Sequence, residues 1–509
     1  MTHDLRHWAT HFPDRVALSI GDEELTYGAL EASANQLARV FEASGLQRGD
    51  HIVAFLPNVT FMFVLAWAAY RSGLYFTPSS NSLSLKDAAY IVDNSQARLV
   101  LADAAVKTPV AELPGHSTRN IQWLSHGQAM PGYTPVHTLM AAMHTQPRDD
   151  ETPGALMLYT SGTTGAPKGV WRPLPAADYK GPPTFAADLM ALFGIDAHVR
   201  YLSTAPLYHA APLRFALTVT ATGGSVFGMQ KFEAEDALKM LMDKRITHSQ
   251  WVPTMLQRLL RLPEETRRNF SAPNHVMALH SAAPCPVPVK RAIIDWWGPV
   301  LMEYYSGTEG VGLTMLDSRE WLERPGSVGK TRKGVPHVLD DDWAELAAGH
   351  AGRIFFSGVS PFQYFGEPEK TAGRTSPQGF QTLGDIGYLD SEGYMFLTDR
   401  MDDMIISGGV NVYPQEIESA IMELPCIVDV GVVGAADEEF GERPVAFVVG
   451  DGKIPAAELA ALLETHCNKQ LGRIKSPARY VVLDQMPRSP TGKLIRRELR
   501  EMLRAGLGT

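Results

Sequence analysis

The chain has 509 residues, 45% hydrophobic and 20% charged, with 46 Lys plus Arg against 56 Asp plus Glu and a formal net charge of -10. That length exceeds what one hydrophobic core serves, so a large domain with at least one smaller companion is expected, and the composition excludes a mostly disordered chain. The acidic balance argues against a generic nucleic-acid surface while allowing a local basic pocket, and three scattered cysteines, Cys285, Cys426 and Cys467, form neither a CxxC pair nor a disulfide framework.

The opening MTHDLRHWATHFPDRVALSI places His, Asp and Arg where a secretory signal needs an apolar run, so a cytoplasmic protein is expected. Next, LTYGALEASANQLARVFEA has a helical pattern. The apolar stretch at 52–70, IVAFLPNVTFMFVLAWAAY, is interrupted by Pro57, Asn58 and Thr60, which predicts a buried strand, a turn and a buried helix, with no integral membrane segment. Short β-rich runs such as HIVAFL, RLVLA and ALMLYT alternate with helical patterns, the habit of an α/β fold with buried sheets. Residues 103–152 are rich in Pro, Gly, His and polar side chains and read as a variable connection with no chemistry of its own. Near DRMDDMIISGG at 399–409 the composition changes to a compact α+β pattern: helix YPQEIESAIMEL, strands VDVGVVG and RPVAFVVG, helix PAAELAALLETHCNKQL and strand RYVVL. About 110 residues suffice for an independent domain, and the short charged junction reads as a pivot more than a floppy tether.

The strand ALMLYT runs into Thr160-Ser161-Gly162-Thr163-Thr164-Gly165-Ala166-Pro167-Lys168-Gly169, which packs four hydroxyls, three glycines and one lysine into ten residues. Glycines let backbone N–H groups approach phosphate oxygens, hydroxyls add donors, and Lys168 supplies a point charge, so a nucleotide polyphosphate is the natural guest. The lysine is followed by Gly169 and the GxxxxGK spacing is absent, which disfavours a P-loop NTPase.

Four further segments follow in order: EYYSGTEG at 303–310, LGDIGYLDSEGYMFLTDR at 383–400, DDMIISGGVNVYPQEIESAI at 402–421 and PRSPTGKLIRREL at 487–499. Together with YTSGTTGAPKGV they make the chain resemble the adenylate-forming superfamily of acyl-CoA synthetases, carrier-protein-loading adenylation domains and luciferases. The resemblance implies a large N-terminal domain over 1–401, with stacked mixed β-sheets flanked by helices, that binds ATP and the acid. It implies a small mobile α+β domain over 402–509 that closes as a lid and turns about a hinge at Asp402. Its expected cofactors are ATP, Mg2+ and coenzyme A.

By the same resemblance, Thr160, Ser161, Gly162, Thr163, Thr164, Gly165 and Lys168 hold the polyphosphate, and Ala282, Ala283 and Pro284 pass the purine. Tyr304 and Tyr305 belong to the nucleotide site, with the Tyr305 ring against adenine. Thr308 lies near the α-phosphate, Glu309 is the metal ligand, Asp385 takes both ribose hydroxyls, and Arg400 stands beside ribose and phosphate. Lys493 is the adenylation lysine, whose charge stabilises the displacement of pyrophosphate. After rotation, Gly408 and Gly409 line the pantetheine tunnel and Lys475 meets the coenzyme A phosphates, although Ile474 stands where the family has an aromatic residue.

The motif PLYHAAPL places His209 near the carboxylate end of the acid, as a gate or a polar contact, and it lacks the aspartate that pairs with an amino-acid ammonium. Small residues in ALHSAAPC and PLYHAAPL, with Gly223 and Gly224, leave room for a fatty, aryl or bulky steroid-type acid. After the phosphate segment the text GVWRPLPAADYKGPP departs from common relatives, and Trp171 and Arg172 reshape either the pocket entrance or the phosphate side. The expected enzyme is a monomer or homodimer acting on a small-molecule carboxylic acid, ATP and coenzyme A. A stand-alone enzyme loading an acyl carrier protein and a non-catalytic nucleotide-binding relative are the alternatives.

Overall fold

The structure is a computed structural model, and it describes residues 4–117, 119–160, 166–401, 403–408, 410–489 and 492–506. The helix Tyr27–Ala43 begins where the Thr26 side chain accepts from the Ala29 N–H, and it buries Leu30, Ala34, Leu37 and Phe41 at three- and four-residue spacing. The 52–70 stretch folds as expected into the fully buried strand His51–Phe55 and the helix Phe61–Arg71, eleven residues buried along nearly its whole length. Arg71 at the end of that helix pairs at 2.7 Å with Glu31 of the helix Tyr27–Ala43, which ties the two helices together. No helix among the described residues is long and apolar enough to cross a membrane.

The strand His51–Phe55 lies between Leu99–Asp103 and Tyr75–Pro78 in a six-stranded sheet whose neighbours all run parallel. A parallel sheet is covered on both faces, which is why its central strands are continuous apolar runs. Contrary to the sequence reading, 103–152 is not a bare connection. It supplies the strands Gln122–His126 and Thr134–Pro135 to this sheet, the turn Val110–Gly115 and the helix Val136–Ala141. Their polar, Pro-rich sequences hide the edge strand Thr134–Pro135 and its neighbour Gln122–His126, where apolar alternation is weak.

A second sheet holds thirteen strands among the described residues. Val16–Ile20, Ser225–Gly228, Arg200–Ser203, His248–Trp251, Met277–His280 and Leu301–Tyr305 lie side by side and parallel. From Leu301–Tyr305 onward the order turns antiparallel through Leu313–Asp317, Ser327–Lys333, Tyr394–Arg400 and Asp385–Leu389. The carboxyl ends of the parallel strands therefore open at one edge, next to the place where direction reverses, and such an edge is where open α/β sheets bind ligands.

The run ALMLYT crosses between sheets. Ala155–Leu156 pairs with the six-stranded sheet, whereas Leu158–Thr160 joins Lys168–Trp171 and Gln363–Tyr364 in a separate three-stranded sheet. The C-terminal region folds around Ile405–Ser407, Val410–Val412, Ile427–Asp437, Gly441–Gly450 and Arg479–Val482, with helices Pro414–Ile421, Ala456–Lys475 and Arg496–Arg504. Ile417, Ile421, Val432, Val448, Leu463 and Cys467 fill its core.

Candidate active site

Adjacent parallel strands deliver two of the motifs together. Met277–His280 and Leu301–Tyr305 are paired with His280 opposite Glu303, so 281–284 and 306–310 leave the same edge side by side. Beneath them the buried Lys290 ammonium pairs with Glu303, whose other neighbour is His280 Nε2 at 3.7 Å. Ala282 has φ 76. A non-glycine residue in the left-handed region is strained, and such strain persists where a site needs it.

Strand alternation separates the two tyrosines. The Tyr304 ring packs against Phe193 and Phe215 at 5.6 and 5.8 Å, and its hydroxyl accepts from Gln250 at 2.8 Å, so it faces the core. That placement does not bring Tyr304 to the nucleotide side as the sequence reading expected. Tyr305 points the other way, and its hydroxyl donates to Asp385 Oδ2 at 2.6 Å. Asp385 and Arg400 face each other across an antiparallel ladder, with Arg400 Nε 3.2 Å from Asp385 Oδ1. Burial and then the Asp385 charge hold the Tyr305 phenol far above its ordinary pKa, so it remains a donor.

Glu309 Oε1 accepts from the Tyr364 hydroxyl at 2.8 Å, and the Lys168 ammonium lies 5.2 Å from the centre of the Tyr364 ring. Tyr364 thus connects the two charges expected at the phosphates. Its strand Gln363–Tyr364 pairs directly with Lys168–Trp171. Sequence reasoning missed it, because SPFQYFGEP carries no motif and the link exists only through strand pairing. Arg172 settles on the same side: its Nη2 donates to the Glu309 carbonyl at 2.5 Å and to the Ser360 carbonyl at 3.3 Å, so it braces the 306–310 loop. Thr308 lies half-buried in that loop. Thr160 and Lys168 are opposed in the ladder, which anchors both ends of the phosphate segment. Ser161, Gly162, Thr163, Thr164 and Gly165 lie outside the described residues.

His209 precedes the helix Ala210–Thr222 at the carboxyl end of Arg200–Ser203. Its Nε2 is buried without a hydrogen-bond partner among the described residues, and burial depresses the imidazole pKa to about 4, so the ring is neutral. A neutral ring with one unused nitrogen can serve as a polar contact for a ligand.

The C-terminal domain presents Lys493 from a turn in which the Lys493 N–H donates to Ser489 Oγ at 3.1 Å. Arg488 pins that turn by donating to the Gly492 carbonyl at 2.6 Å and to Asp429 at 2.5 and 2.7 Å. Gly492, at φ +76, lies so close to Thr254 that a Cβ would collide with the Thr254 hydroxyl. Thr254 belongs to the helix Pro253–Leu260, which follows the parallel strand His248–Trp251 at the same sheet edge. Docked there, Lys493 comes within the fields of Arg400, Asp403 and Asp385. Burial and then the Arg400 charge lower its pKa to about 8.

Two expected residues are not brought to this cluster. Lys475 pairs with Glu416 at 2.7 Å inside the small domain, and Gly408 sits at a hairpin against Phe440, with its N–H on the Phe440 carbonyl at 2.8 Å. In this domain arrangement Lys493, and not the Gly408 hairpin, occupies the mouth of the site. Asp402 and Gly409 lie outside the described residues.

Residues 5–364 match the AMP-binding enzyme family and residues 416–493 its C-terminal domain. The chain is 29% identical to a long-chain-fatty-acid–CoA ligase of Mycobacterium tuberculosis over 95% of this chain and 94% of that one. It is 30% identical to the fatty acid–[acyl-carrier-protein] ligase ScoC of Streptomyces coeruleorubidus, over 97% and 94%. The solved o-succinylbenzoate CoA synthetase of Bacillus subtilis, in complex with its acyl-adenylate intermediate, superposes with a TM-score of 0.81 at 27% identity, covering 98% of each chain. Matched in both of its domains, the chain belongs to the AMP-binding enzyme family and is an AMP-forming acid–thiol ligase.

Proposed function

We propose that this enzyme joins a carboxylic acid to ATP, releasing pyrophosphate, and then passes the acyl group from the acyl-adenylate to the thiol of coenzyme A, releasing AMP. The observation that carries this reading is the docking of Lys493 onto the cluster of Asp385, Arg400 and Tyr305. An acceptor-only carboxylate can take both ribose hydroxyls, the aromatic face of Tyr305 suits adenine, and Lys168 with the glycine–threonine segment suits the polyphosphate. Thr308 would donate toward the α-phosphate. Lys493 would meet negative charge as it develops between the acid and the α-phosphate. Ala282, Ala283 and Pro284 keep the purine edge free of long side chains.

A magnesium ion fits the donor set. No cluster of three or more His, Cys, Asp or Glu stands ready for a metal among the described residues. Mg2+ characteristically takes one or two carboxylates and completes its shell with phosphate oxygens and water. Glu309 is the carboxylate that would hold it, and the ion would supply charge neutralisation at the phosphates.

The domain boundary falls at 401/402. The small domain closes over the adenylate to exclude water, then turns about Asp402 so that Gly408 and Gly409 admit the pantetheine arm and Lys475 leaves Glu416 for the coenzyme A phosphates. Fatty and aryl acids are the substrates favoured by the named relatives, and none of those relatives supports a steroid. Transfer to a carrier-protein thiol is the second reading, which the likeness to ScoC favours.

The test is mass spectrometry of protein with Mg-ATP, coenzyme A and a panel of acids. AMP with the matching acyl-CoA is expected. AMP or acyl-AMP without thioester redirects the search to a carrier protein, and ADP refutes the reading. Asp385→Ala is expected to raise the KM for ATP by about 10- to 100-fold, the worth of hydrogen bonds to a charged acceptor. ATP-dependent pyrophosphate exchange with varied ATP checks it.

A further inference from the structure

The helix Ala210–Thr222 reads AAPLRFALTVTAT, with Leu213, Phe215, Ala216 and Leu217 buried. Its single charge, Arg214, is half-buried among them. A cation drawn out of water is costly unless paired. Among the described residues its guanidinium makes no hydrogen bond and no ion pair; only its backbone carbonyl is used, by Thr218.

The charges around it do not neutralise it. Asp188 lies within electrostatic reach but is committed to Lys333 at 2.5 Å. Arg172, the other guanidinium in reach, is held on the Glu309 and Ser360 carbonyls. Burial depresses both guanidinium pKa values, and Arg214 depresses that of Arg172 further. Two cations thus share a partly dry region, and among the described residues no carboxylate is paired with Arg214.

The groups proposed for adenine and ribose do not face Arg214. Arg214 acts on Tyr304, which faces Phe193 and Phe215. The groups proposed to hold adenine and ribose gather instead around Tyr305, on the opposite side of the same strand. His209, with its orphaned Nε2, caps the start of this same helix, and Arg214 lies five residues on.

We infer that the acid activated here carries a second anionic group, most simply a second carboxylate, which the Arg214 guanidinium receives while His209 stands toward the reacting end. The inference rests on the ligase reading above and names the class of its acid. A planar guanidinium grips a carboxylate through two parallel N–H bonds, which an ammonium cannot reproduce.

The experiment pairs aliphatic and aromatic diacids with their monomethyl esters and measures kcat/KM for AMP formation. Wild-type enzyme is expected to prefer the diacid by about 10- to 100-fold. In Arg214→Met the diacid loses most of that advantage through KM while the half-ester falls far less, and Arg214→Lys recovers part of it. A wild-type ratio near one, or an equal loss of both acids or of ATP affinity in Arg214→Met, overturns the inference and leaves the ligase standing. No AMP with any acid, mono- or dibasic, overturns the ligase reading and this inference with it.

Discussion

Lys493→Ala is expected to lose adenylation by about 10²- to 10³-fold while forming thioester from supplied acyl-AMP within a few-fold of wild type. The first step builds charge between acid and α-phosphate, and Lys493 is the cation that the docked small domain places beside Asp385 and Arg400. In the proposed two-position mechanism the second step uses another face of that domain. Asp402→Pro, which stiffens the proposed hinge, is expected to do the reverse. Pyrophosphate exchange and thioester formation, assayed separately, check both; equal loss of both half-reactions in both variants would sink the two-position mechanism.

The same lysine sets a pH dependence. Burial and Arg400 bring its pKa down to about 8, so it is charged below that value and neutral above it. Because kcat/KM reports the free enzyme, kcat/KM for adenylation is expected to fall as pH rises through about 8. Lys493→Arg is expected to move that limb upward, since a guanidinium keeps its proton throughout the range.

Gly492→Ala is expected to cut adenylation by about tenfold or more and to spare thioester formation from acyl-AMP. Two effects add. At φ +76 an L side chain is strained, by about 1–2 kcal/mol. The new Cβ also meets the Thr254 hydroxyl, so the turn carrying Lys493 cannot seat on the helix Pro253–Leu260. The collision exists only in the docked arrangement, which is why one half-reaction suffers and the other does not. Thr254→Ala in the same chain removes the hydroxyl and is expected to restore part of the loss. A loss of both half-reactions with a lowered melting temperature would instead make Gly492 a folding residue.

Asp385, Arg400, Tyr305, Glu309, Lys168 and Lys493 were expected together from the sequence, because each stands inside one of the short segments that carry the resemblance. Tyr364, Arg172 and Thr254 were not. Tyr364 reaches Glu309 only because Gln363–Tyr364 pairs with Lys168–Trp171 across nearly two hundred residues of chain. Arg172 was visible as a departure, but its side was decided by the Glu309 carbonyl that it grips. Tyr304 was grouped with Tyr305 by adjacency, and strand alternation sends the two rings to opposite faces.

The sequence by itself determined the α/β class, the small α+β domain and the family, because buried runs, helical patterns and motif segments are local properties of the chain. The tertiary structure alone decided which domain face meets the site, where 103–152 belongs, and that Arg214 is paired with no carboxylate among the described residues. Docking, edge pairing and the satisfaction of a charge each depend on partners distant in the chain, and no local pattern records whether such a partner is present.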